Sequence, residues 1–127
     1  MPGIENMWAG PVTETGTTKQ HPLGTQRLVN HATYGLGTWI YIQVSAASAA
    51  LAKGSSVAQD AASADPFVTE LTPANADPTR VRGVADHVIA AASYGWIIKE
   101  GRCELLSNGT TTADNAQKPS STAGQWV

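Results

Sequence analysis

The chain is poor in several of the residue types that usually declare a function. Of its 127 residues only Cys103 is a cysteine, which excludes an internal disulfide and leaves no second thiol for a metal pair. Charged residues make up 14%, eight basic against ten acidic with no run of either sign, so the footprint expected of nucleic-acid or anionic-membrane binding is missing. Aromatics are 6% and much of the 42% hydrophobic fraction is alanine, so the core is expected to be small and built from few large side chains. No apolar run approaches membrane-spanning length. Met1 is followed by Pro2, Gly3 and Glu5 rather than by a basic and then an apolar stretch, so the expectation is a chain without a signal peptide, made in a cytoplasm.

What is present has a β rhythm. Residues 28–34 and 38–44 step with period two and are rich in β-branched and aromatic residues, and Gly35-Leu36-Gly37 between them predicts a hairpin reversal. Residues 55–59, 67–71, 80–85, 94–100 and 102–106 predict further strands, the last two joined through Gly101. Residues 45–52 read as a short Ala-rich helical turn or a loop. Asn108-Gly109 is the strongest turn signal, and although Asn108-Gly109-Thr110 matches a glycosylation acceptor it is better explained as a turn. About eight short strands without full-length helices predict an all-β fold, a small barrel or sandwich. Trp39, Ile40, Ile42, Val84, Trp96, Ile97 and Leu105 are the expected core. Gly37-Thr38-Trp39-Ile40 and Tyr94-Gly95-Trp96-Ile97 form a short internal echo.

Residues 1–26 differ: three prolines, four glycines and many threonines surround Ile4, Met7, Trp8, Val12 and Leu23 at no regular period. They are expected to form an extended arm before a compact β domain at 27–127. A disordered linker would lack such apolar groups, so their resting place is a partner surface or the chain's own domain. Trp126, near the other end, needs a pocket in the same way. Ile4, Met7, Trp8, Val12, Leu23 and Trp126 are therefore the candidate partner contacts.

Signs of catalysis are few. His21 lies in the arm, and His31, His87 and Cys103 are dispersed without metal-ligand or nucleophile-base spacing. Asp86-His87 would point to opposite faces if extended, and no P-loop, dinucleotide fingerprint, G-x-S-x-G elbow, H-E-x-x-H or EF-hand pattern occurs. The expectation is a protein with no catalytic, cofactor or metal site.

The stretch from Gly83-Val84-Ala85 through Ile89-Ala90-Ala91-Ala92-Ser93-Tyr94-Gly95-Trp96-Ile97 to Gly101 resembles tailed-bacteriophage capsid decoration, or cement, proteins. Looser likeness runs from His21-Pro22-Leu23-Gly24-Thr25 to Lys118-Pro119-Ser120. The resemblance implies a structural virion protein that docks on the exterior of the shell as a trimer or dimer, binds the major capsid protein and ties neighbouring capsomers together. A head-tail or tail-associated virion protein shares the composition. A small hydrolase using Cys103 or a His/Asp pair, and a carbohydrate-binding module stacking sugars on Trp39, Trp96, Tyr41 and Tyr94, are the rivals from other classes.

Overall fold

The computed structural model describes residues 11–107 and 119–126. Ile4, Met7, Trp8 and the Asn108-Gly109 turn lie outside them. The described residues form seven strands: β1 (Thr15–Gly16), β2 (Gln26–His31), β3 (Gly35–Val44), β4 (Ser56–Gln59), β5 (Val68–Leu71), β6 (Val81–Val84) and β7 (Tyr94–Glu100). The helical content among the described residues is the 3-10 turn Pro78–Arg80, started by the Asp77 carboxylate accepting from the Thr79 N–H, and residues 45–52 are loop. The sheet order is β1-β7-β6-β4-β5-β3-β2, and β7 also pairs with β3. That extra pairing closes β3, β7, β6, β4 and β5 into a five-stranded barrel with β1 and β2 attached outside it. The expected all-β fold forms, and of the barrel and the sandwich it is the barrel. Its seam is the parallel pair β3 and β5, Gln43 beside Val68 and Val44 beside Thr69.

β3 is buried on both faces over Trp39, Ile40, Tyr41 and Ile42, which is why its sequence reads as a near-continuous apolar run. Ile40, Ile42 and Val44 point into the barrel and meet Leu51, Val57, Ala85, Ile89 and Ile97. Trp39 and Tyr41 point outward and build a second core with Trp96 and Ile98 of β7, packed over by Val12, Leu23, Val29, Tyr34, Tyr94 and Cys103. The two Trp-Ile echoes in the sequence run side by side here, Ile40 beside Ile97 and Tyr41 beside Trp96. The pattern repeats because both strands separate the same two cores.

Two local readings are corrected. The hairpin reversal sits at residues 32–34, ahead of the glycines, because the His31 Nδ1 accepts the N–H groups of Thr33 and Tyr34 and so forms the turn itself. Gly35, at φ 74°, ends the turn, and Leu36 and Gly37 already belong to β3. Residues 102–106 form no strand, and Leu105, expected in the core, is 43% exposed. The reason is that β7 has no free edge left: β3 runs along one side, and β1 and β6 take the other. Gly101, at φ 116°, sets its backbone against Gly37 and turns the chain away. Val84, by contrast, is buried as expected, beside Gly83, whose added Cβ would lie 2.3 Å from the Ile98 carbonyl oxygen.

Candidate docking surface

The described part of the N-terminal arm is a layer of the domain, so the expected boundary at residue 26 cuts through a core. Val12 and Leu23, named as candidate partner contacts with the chain's own domain as the alternative, pack on the Trp39, Tyr41, Trp96 and Ile98 cluster, because four large side chains facing outward need a cover and this segment supplies it. Polar contacts fix it in place. The Glu14 Oε1 accepts from the Trp96 Nε1 at 3.0 Å and lies 2.7 Å from the His21 Nε2. The His21 ring stands edge-on to Tyr41 at 4.9 Å, and the Gln20 N–H donates to the Tyr41 hydroxyl. β1 pairs with β7, and residues 24 and 25 exchange backbone hydrogen bonds with Tyr41. Arg27 completes the layer with its guanidinium 4.9 Å from the centre of the Trp96 ring.

The other titratable residues are spread over structural contacts. His31 stacks on Tyr34 and Trp39, and the Tyr34 hydroxyl donates to Asp86 at 2.9 Å, which clips the tip of the β2–β3 hairpin to the loop after β6. Asp86 and His87 lie in that loop, not in a strand. Burial holds the His87 imidazole below its ordinary range against the pull of the Asp86 carboxylate. Burial, with Asp86 adding to it, pushes the Cys103 thiol up, so it stays protonated near neutral pH. Among the described residues no group of three or more His, Cys, Asp or Glu is placed to hold a metal ion, and no helix is long and apolar enough to cross a membrane.

Trp39, Trp96 and Tyr41 are buried and Tyr94 is half-buried, which leaves them no common exposed platform for stacking a sugar. Trp126 is half-buried within its own chain, bridging Ser107 and Pro119, while its Nε1 has no hydrogen-bond partner among the described residues. Among the described residues, the large apolar side chains left outside are Leu28, Leu36, Val88 and Leu106, which carried no site expectation, and Leu105, which was expected in the core. Their exposure was hidden in the sequence because alternation shows that two faces differ without showing which one the rest of the chain covers.

These residues fall into two places. Leu28 and Leu36 stand on the β2–β3 hairpin, where β3 runs past the barrel wall. Val88, Leu105 and Leu106 flank the loop at residues 51–55, which ties them together: Leu51 pairs with Ile89, the Gly54 N–H donates to Ala85, and the Gly54 carbonyl accepts from Leu106. A concavity of about 340 Å³ opens over Ile40 and Phe67 at the barrel mouth, rimmed by Arg82, Lys99 and Glu100. Compared with family models, curated proteins and solved structures, the chain matches none.

Proposed function

We propose that the chain is a non-enzymatic structural virion protein, a decoration or cement protein that binds the major capsid protein on the outside of a tailed-phage shell and braces neighbouring capsomers. The observation that carries the reading is the exposure of Val88, Leu105 and Leu106, large apolar side chains left in water on the two segments that the 51–55 loop of a closed barrel ties together. Exposed apolar clusters on a thinly charged surface are the ordinary mark of a protein-binding face. The likeness of residues 83–101 to decoration proteins supports the same reading, and that stretch supplies the end of β6, the loop bearing Val88 and β7. Ile4, Met7 and Trp8 would add a second contact from the chain's first residues, raising occupancy through effective concentration. The head-tail alternative shares these supports and differs in copy number per particle.

The test is co-sedimentation with undecorated shells of the cognate major capsid protein. Full-length chain is expected to bind saturably at a stoichiometry matched to the shell subunits. Val88→Lys, Leu105→Lys and Leu106→Lys combined are expected to weaken binding by about 3 kcal/mol, somewhat over a hundredfold. Failure of the full-length chain to bind overturns the reading, as does binding that the triple variant leaves unchanged. A few copies per particle in place of hundreds would favour the head-tail alternative.

A further inference from the structure

We infer that the chain forms a two-fold dimer in which β2 pairs antiparallel with β2 of a second copy, Leu28 opposite Leu28. β2 ends the sheet, with β3 as its one neighbour among the described strands. Its polarity is fixed by the bond from the Tyr41 N–H to the Thr25 carbonyl, 2.9 Å, just before β2 begins. Stepping by two, the backbone groups of Arg27, Val29 and His31 face β3, and those of Gln26, Leu28 and Asn30 face the open edge. An open edge of six residues is a ready template for another strand.

The residues along it make a second copy the fitting occupant. With Leu28 at the centre, Gln26 of one copy falls opposite Asn30 of the other, so every outward-facing backbone group meets an outward-facing one. Amide side chain meets amide and leucine meets leucine, and the charges that would set identical copies against each other are missing from these three positions. β2 carries neither lysine nor proline, the usual guards of an exposed edge. Its arginine, Arg27, is buried and laid over Trp96, away from the edge. Leu28 is 54% exposed, and Leu36, diagonal to it on the same face, is 64% exposed and widens the apolar contact.

The inference stands apart from the capsid reading, because it concerns the purified chain alone and leaves the Val88, Leu105 and Leu106 surface free. Sedimentation equilibrium of the full-length protein is expected to give twice the 13.2 kDa chain mass. Leu28→Lys, which sets like charges at the dyad, and Asn30→Pro, which removes an outward N–H, are each expected to weaken the dimer at least tenfold. Both variants are expected to keep the wild-type circular dichroism spectrum. In a Cys103→Ser background, Leu28→Cys is expected to cross-link copies under mild oxidation and Val88→Cys is not. A monomeric wild type overturns the inference, as does a dimer indifferent to both edge variants or cross-linking at position 88 in place of 28.

Discussion

Trp96 and Trp126 differ in what their indole N–H groups meet. The Trp96 group donates to the Glu14 carboxylate from a ring that also carries the Arg27 guanidinium on its face. Replacing it by Phe keeps an aromatic ring and removes a charge-assisted bond, part of a cation-π contact and some packing, so Trp96→Phe is expected to cost about 3 kcal/mol. Trp126 Nε1 is buried without an acceptor among the described residues, so its removal deletes a group that already lacks its hydrogen bond. Trp126→Phe is expected to cost about 1 kcal/mol or less. Urea unfolding of the two variants checks this, and equal losses would show that the Glu14 contact contributes nothing beyond ring burial. The contrast was invisible in the sequence, where both residues are simply tryptophans and Glu14 lies far from Trp96 along the chain.

At the scale of elements, the N-terminal layer decides how the chain tolerates truncation. Removing residues 1–10 leaves Val12, Glu14, β1 and Leu23 in place and serves as the reference against which loss of the layer is read. Removing residues 1–25 uncovers the outer face of β3 and β7 and is expected to cost about 4 kcal/mol, from two apolar side chains and the Glu14 bond. Urea titration of both truncations decides it, and equal midpoints would mean that the layer is not part of the core. Much of this architecture is legible in the sequence: the β-branched and aromatic runs at 38–44 and 94–100 mark the two strands that separate the cores. What is not legible depends on distant partners. The strand expected at 102–106 fails because β7 has no open edge, and β1 escapes notice because a two-residue strand has no period. The hairpin turn was misplaced by three residues' worth of glycine signal because an imidazole, not a glycine, organises it.

For the whole molecule, His87 and Tyr41 contribute to the pH dependence of stability on opposite sides of neutrality. The folded state depresses His87 below its ordinary 6.5, so the unfolded chain takes up that proton first; stability is full above pH 6.5 and declines as pH falls below it. Burial raises the Tyr41 phenol above 10.0, so the unfolded chain loses its proton first and stability declines as pH rises past that value. Melting temperature is expected to form a plateau between these limits. His87→Leu is expected to flatten the acid shoulder between about pH 7 and pH 5, and a shoulder that persists unchanged would assign it to other groups. The bond between Glu14 and Trp96 spans 82 residues of sequence, and it has a temporal consequence. During synthesis the N-terminal layer emerges with only part of the surface it will cover, and Trp39 and Tyr41 stay in water until the ribosome has delivered β7. Such long-range closure makes folding slow relative to helical proteins of equal size. The nascent chain therefore passes through an interval in which its stickiest strand is complete and unprotected, a window in which chaperones or neighbouring chains compete for it.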